Sequence, residues 1–322
     1  VRQGGRHRAG VTMKIGRFRG ADGAERLGVV LGDVFGEQRV LDLGAVAAAR
    51  GGGTLPGTMD ALIDAGERGL QAVREALERA QRDGEAGWFR PEPEVPWMLP
   101  IRVRNCLAGG RNFAAHREET LEYWKKQGAK LHSEIPMGFV KLASSMVPTR
   151  SVVKRPPDCE WFDYEVEATA VIGRACERVS EERALEAVFG YTILNDLSAR
   201  ELQRKEMANQ SILLGKNFPG LGPLGPWITT ADELPDPSVM RVELRVNGEV
   251  RQQADCSDLI FPFPRMIAHW SRMGLDRGDL VTTGSPEGVA IGRPDPMAFY
   301  LKPGDVVHAI VDRVGTLETT IA

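Results

Sequence analysis

The sequence predicts an α+β protein in two parts: a small N-terminal α/β domain, then a larger domain with a mixed, rolled or sandwich-like β core. Three observations predict it. Short runs of alternating apolar and polar residues dominate the second part of the chain. Helical apolar spacing is confined to a few interspersed segments. A stiff proline-rich stretch, Pro91-Glu-Pro-Glu-Val-Pro96 with Pro100 behind it, can join neither a helix nor a central strand and separates the two parts.

With 42% apolar and 26% charged residues among 322, the chain has ample material for a core. Lys plus Arg number 41 against 44 Asp plus Glu, a formal charge of −3, so the strong basic field that nucleic acid or a membrane surface requires is missing. A small-molecule ligand fits better. Cys106, Cys159, Cys176 and Cys256 form no CxxC pair, which points away from a zinc site or redox motif, and so few cysteines in a long chain read as cytoplasmic. No apolar run is long enough to span a bilayer. Residues 1–12 carry Arg2, Arg6 and Arg8 without the apolar run of a signal peptide, and are expected to be a disordered leader.

The elements follow in order. Residues 13–90 form the expected small domain: MKIGRFR, RLGVVLG and QRVLDL read as antiparallel strands. Leu62, Ile63, Leu70, Val73 and Leu77 between 59 and 82 recur at helical spacing and would cover that sheet. Residues 91–100 are the linker. In 101–322, strands are expected at 164–173, 239–250, 279–284 and 306–312, with helices near 113–128, 180–189, 197–208 and 263–273. Asn247-Gly248 signals a type I′ hairpin, which needs two residues that accept positive φ.

Chemistry concentrates in three stretches. In Asp163-Tyr-Glu165-Val-Glu167, alternation puts Glu165 and Glu167 on one side of a strand, about 7 Å apart, so both can meet one cation. Tyr164, Val166, Ala168, Ala170 and Ile172 then form the core face and pin the register. The competing reading is a solvated outer face of glutamates. Asp196 ends the apolar run Gly190–Asn195 ahead of a helix on which Arg200 and Gln203 share a face; alternatively it only caps that helix. His116 and Glu119 are helical neighbours at the start of a polar helix continuing through Leu121, Tyr123 and Trp124. A carboxylate beside an imidazole orients it and suits the pair to general-base work on a water, although His-x-x-Glu is also a common surface pairing. Of the other histidines, His7 lies in the leader and His132 in an expected loop. Lys141 and Lys216 each follow a short turn. Gly220-Leu-Gly222-Pro-Leu-Gly225 fits GxGxxG, but prolines surround it and no helix follows, so it is not a dinucleotide loop.

Taken together, the segments Asn112 to Glu119, Asp163 to Glu167, Asn195 to Gln203, Pro223 to Pro226, Thr283 to Val289 and Leu301 to Asp305 resemble, in order, the motifs of the fumarylacetoacetate hydrolase family. The resemblance implies that family's β-roll catalytic domain over 101–322 and a homodimer. It makes Glu165, Glu167 and Asp196 ligands of Mg²⁺ or Mn²⁺, with Ca²⁺ a stand-in in crystals. It makes His116 with Glu119 the water-activating pair on a lid, and Lys216 a catalytic lysine. Lys141, Arg200, Gln203 and Thr283 would contact substrate. An all-oxygen donor set agrees independently with a hard cation. Phe113, Glu201, Ser285 and Glu318 depart from the family pattern without removing a ligand or the pair.

The expected function is metal-dependent hydrolysis of a carbon–carbon bond in a small 2,4-dioxo acid of the acylpyruvate type, such as fumarylpyruvate or maleylpyruvate, in aromatic-compound breakdown. Retention of His116 and Glu119 favours water attack. The alternative is decarboxylation or isomerisation of 2-oxo diacids, of the oxaloacetate decarboxylase or 2-hydroxyhepta-2,4-diene-1,7-dioate isomerase type. A catalytically silent binding protein is the remote third reading.

Overall fold

The computed structural model describes residues 13–32, 36–49, 55–84, 86–119 and 133–322. The expected leader, His7 and His132, and the continuation of the His116 helix through Leu121, Tyr123 and Trp124 lie outside the described residues. Among those described, the architecture is α+β, with two principal sheets and no helix long and apolar enough to cross a membrane.

The N-terminal strands Lys14–Arg19, Glu25–Leu31 and Arg39–Asp42 form the expected antiparallel ladder. Two helices, Met59–Ala65 and Glu67–Asp83, form where helical spacing was expected, divided by Gly66 at φ 55. Leu62, Ile63, Leu70, Val73 and Leu77 are all buried in one cluster with Ile15, Val29 and Leu41 from the strands. This sheet does not stand alone, since Lys14 and Ile15 pair with Thr229 and Ile228 of the strand Gly222–Thr230. The ladder therefore runs unbroken into the second part of the chain. The proline-rich stretch is ordered against it: Phe89–Pro91 is an edge strand, where a missing N–H costs little, and Trp97 bridges Phe18.

In the same sheet, Gly222–Thr230 is followed by Val188–Asn195, Val166–Ile172, Leu280–Thr282, Cys106–Gly109 and finally Gly138–Lys141 at the edge. The second sheet holds Glu249–Asp255, Arg241–Val246, Val306–Val311, Gly315–Ile321 and Ser151–Val153. Its hairpin turns at Asn247 and Gly248, both at positive φ, as a type I′ turn requires. Val166, Ala168, Ala170 and Ile172 face Val242, Leu244, Val307 and Ala309 in the main core, which fixes the opposite face of their strand.

Three helix boundaries differ from expectation. Residues 181–187 form 3₁₀ turns, because Val188 already belongs to the central strand. The helix expected from 197 begins at Arg200, since Ser198 and Ala199 pair with Asp163 and Phe162. The helix Phe263–Trp270 ends three residues short of 273, in a 3₁₀ turn.

Candidate active site

The site is assembled where two neighbouring strands end together. Val166 lies opposite Asn195, and the Asp196 N–H donates to the Glu165 carbonyl at 2.8 Å. The Glu165 N–H donates to Asn195 Oδ1 at 3.1 Å. Register thus places Glu165, Glu167 and Asp196 side by side, with carboxylate oxygens within 4.8 Å of one another. Glu165 is 6% exposed, Glu167 1% and Asp196 0%, which overturns both the solvated-face and the simple-cap readings.

Buried carboxylates need compensation, and three cations supply it. Lys216 Nζ donates to Glu165 Oε2 and Asp196 Oδ2, each at 2.6 Å. Lys141 Nζ donates to Asp196 Oδ1 and to the Lys216 carbonyl, also at 2.6 Å. Arg200 reaches Glu165 Oε1 at 2.6 Å, Asp163 Oδ2 at 2.8 Å and Gln203 Oε1 at 2.8 Å. Asp163 is held further by the N–H groups of Ala290 and Ile291.

The titration of the carboxylates follows from this wiring. Burial pushes Glu165 up, but Lys216 and then Arg200 overcome it and hold the group well below the ordinary carboxylate range. Glu167 goes the other way: burial first, then Asp196 and Glu165, raise it well above its usual value. Burial lowers Lys141 despite Asp196, whereas Asp196 and Glu165 outweigh burial at Lys216 and raise it.

A metal fits this arrangement. Glu167 Oε2 accepts a hydrogen bond from the Thr282 hydroxyl, while its Oε1 is buried with no hydrogen-bond partner. Such an orphan oxygen beside two further carboxylates is a cation's place, and the donor set suits a hard divalent ion.

Beside Glu165 opens a cavity of about 100 Å³, bordered by His116, Arg200, Gln203 and Lys216, with Phe139, Met207 and Ile212 as an apolar wall. His116 is buried, and its Nδ1 lies 3.6 Å from Glu119 Oε2. Glu119 is anchored in turn by the Gly288 N–H at 3.0 and 3.1 Å. A wider surface hollow of about 780 Å³ around Glu67, Arg104 and Phe189 shows no such convergence, because its charges pair with one another, as in Arg174 with Glu186.

Glu165, Glu167, Asp196, Lys141, Lys216, Arg200 and Gln203 are brought into one network, with His116 and Glu119 at its rim. Lys141 meets Asp196 rather than the cavity wall. Thr283, expected to touch substrate, is fully buried and donates its hydroxyl to the Gly284 carbonyl; Ser285 lines the cavity instead. The sequence alone assigns no role to Asp163 or Thr282. Asp163 shares the alternation of Glu165 and Glu167, a signal that could have found it; Thr282 carries no comparable mark.

Residues 105–322 match the model for the fumarylacetoacetate (FAA) hydrolase C-terminal domain. The chain belongs to this family. Among curated relatives, it is 32% identical to an oxaloacetate tautomerase, YisK, of Bacillus subtilis, over 83% of this chain and 87% of that one. Among solved structures, a 5-carboxymethyl-2-hydroxymuconate delta-isomerase from Mycobacterium smegmatis superposes with a TM-score of 0.69 at 28% identity, covering 96% and 99% of the two chains. A fumarylpyruvate hydrolase from Pseudomonas aeruginosa, in complex with Mn²⁺ and pyruvate, gives 0.59 at 30% identity over 68% of this chain and 90% of its own. Family membership and the acidic cluster together make this an enzyme fold with a site suited to a divalent metal.

Proposed function

We propose that this protein is a divalent-metal-dependent hydrolase that cleaves a carbon–carbon bond of a small 2,4-dioxo acid of the acylpyruvate type. The observation that carries the reading is the shared cavity, in which His116 borders the same small space as Glu165, Arg200 and Lys216. Glu165, Glu167 and Asp196 would hold Mg²⁺ or Mn²⁺. A bound divalent cation supplies Lewis-acid polarisation of the 2-oxo group and stabilises negative charge developing there.

The chain's own residues do the rest. Arg200, locked by Asp163, Glu165 and Gln203, and Lys216, locked by Glu165 and Asp196, present fixed positive charge to an anionic substrate without reorganising. His116 takes a proton from a water that attacks the 4-carbonyl, and Glu119, fixed by Gly288, keeps the ring oriented. The C3–C4 bond breaks with its electron pair on C3, which is then protonated, giving pyruvate and a carboxylic acid.

A second reading, tautomerisation, isomerisation or decarboxylation of a 2-oxo diacid, is favoured by the tautomerase relative, which matches more of this chain than the hydrolase structure does. In the tautomerase form His116 would carry a proton between C3 and the enol oxygen, and no water would attack. The deciding experiment assays purified protein with Mg²⁺ or Mn²⁺ on acylpyruvates, oxaloacetate and unsaturated 2-oxo diacids. Loss of enol absorbance with stoichiometric pyruvate and acid supports hydrolysis. Enol–keto conversion of oxaloacetate without cleavage supports the second reading, and inactivity on every substrate sinks both in favour of a silent binding protein.

A further inference from the structure

The segment 284–292, a loop that ends in the 3₁₀ turn Ala290–Gly292, holds both arms of the site. Its Ala290 and Ile291 N–H groups donate to Asp163 at 2.8 and 3.2 Å, and Asp163 in turn accepts Arg200. Its Gly288 N–H donates to the Glu119 carboxylate, which stands beside His116. One backbone segment thus ties the imidazole arm to the guanidinium arm.

The segment is itself fixed from behind. Gly288 is at φ 94, and a side chain on it would collide with the Arg251 carbonyl, so the loop lies directly on that strand. The same carbonyl accepts Arg293 at 2.7 Å. Gly292 is a glycine for a different reason. It is not among the residues at positive φ, so its backbone would admit any side chain. What would not admit one is Glu119. A Cβ on Gly292 would lie 2.5 Å from Glu119 Cδ, 2.7 Å from Cγ and 2.9 Å from Oε1. These are well inside the roughly 3.5–4.0 Å at which non-bonded carbon atoms meet. The Glu119 carboxylate therefore fills the space that a side chain at 292 would take.

We propose that Gly292 is a positioning residue for His116: together with the Gly288 N–H it forms a slot that seats the Glu119 carboxylate, and this seat fixes the imidazole relative to Arg200 and the acidic cluster. The N–H supplies the donor, and the missing Cβ supplies the space. The inference rests on the reading of His116 as the proton-transfer group and deepens it. Both the hydrolytic and the tautomerising forms of that reading need the ring at a fixed place, because a small misplacement of a reacting group is costly.

Gly292→Ala puts one methyl group into the slot. Glu119 is a flexible side chain, 18% exposed, so it should turn out toward solvent while the backbone stays. Amide hydrogen exchange read by NMR should then show Gly288 losing protection by roughly 10-fold or more, whereas Ala290 and Ile291, held by Asp163, keep theirs. With Mn²⁺ present, kcat on fumarylpyruvate or oxaloacetate should fall roughly 10–100-fold, with KM and Mn²⁺ affinity little changed. In a Glu119→Ala background the added methyl meets no carboxylate, and Gly292→Ala should cost nothing further. Protection kept at Gly288, an unchanged kcat, or an equal loss of kcat in the Glu119→Ala background overturns the proposal. Loss of protection at Ala290 and Ile291 as well would also overturn it, because the loop and not Glu119 would have given way. Wild-type inactivity on both acids would instead remove the proposed reactions, while the exchange pattern still decides whether Gly292 seats Glu119.

Discussion

The side-chain carbonyl of Gln252 accepts the backbone N–H of Val166 at 3.0 Å, and Val166 is the residue between Glu165 and Glu167. The Gln252 amide donates to Ser285 Oγ at 2.8 Å and to the Pro286 carbonyl at 2.9 Å, so one buried side chain ties the ligand-bearing strand to the loop that anchors Glu119 through Gly288. Gln252→Ala would leave Val166 N–H and the Pro286 carbonyl buried without this partner. A loss of roughly 2–4 kcal/mol is expected, read by urea unfolding. An unchanged midpoint would show that the bridge is dispensable.

Glu167→Gln should weaken Mn²⁺ binding at least about 10-fold, since it removes one of three clustered charges while preserving shape. Titration calorimetry measures this directly. Wild-type affinity in the variant would remove Glu167 from the metal site. Chelation should abolish activity, and Mg²⁺ or Mn²⁺ should restore it.

Metal binding should also release a proton. Burial, Asp196 and Glu165 raise Glu167 well above the ordinary carboxylate range, so in the metal-free protein it keeps its proton at pH values where an ordinary carboxylate has lost it. A cation requires the ionised form. Apparent affinity should therefore rise with pH above the ordinary carboxylate range and level off once Glu167 is ionised in the free protein. Calorimetry in buffers of different ionisation enthalpy counts the proton, and Glu167→Gln should flatten this slope.

What was legible in the sequence was local. Alternation placed Glu165 and Glu167 together, because Val166, Ala168, Ala170 and Ile172 could only face a core, and a three-residue step joined Arg200 to Gln203. Asp163 shares the same alternation. What was not legible depends on contacts between distant segments. The pairing of Lys14 with Thr229 leaves no local trace, so the proline-rich stretch looked like a break where the ladder is continuous. The same holds for Gln252 on Val166 and Thr282 on Glu167, whose neighbours in sequence show only ordinary strands. Thr283 lies just past the strand Leu280–Thr282, and its hydroxyl donates to the Gly284 carbonyl, a local contact that motif position does not reveal.

Sedimentation should show a homodimer at micromolar concentration. The strand Gly138–Lys141 ends the large sheet, and Met137, Val140, Leu142, Leu213 and Leu214 are exposed around it. An edge with apolar neighbours is a pairing surface, and a second copy offers the same surface in return. Val140→Asp should shift the protein toward monomer. A wild-type monomer would refute the expectation.

His116→Ala should cut hydrolysis by roughly 10²–10⁴-fold, the usual span for a general base, and leave Mn²⁺ affinity unchanged. The two functions are separable in the structure. Charge stabilisation belongs to Glu165, Glu167 and Asp196, of which Glu165 and Asp196 are joined through Lys216, with Lys141 on Asp196 and Arg200 on Glu165. His116 comes from a different helix and approaches the cavity from the side of Glu119 and Gly288. Glu119→Gln should give a milder loss, because the amide carbonyl can still accept the Gly288 N–H and hold the segment in place while the charge beside the imidazole is gone. Decarboxylation, which needs no water, should survive His116→Ala much better than hydrolysis does. If His116→Ala cleaves acylpyruvates at the wild-type rate, the helix is only a polar wall of the cavity, and the hydrolase reading loses the residue on which it stands.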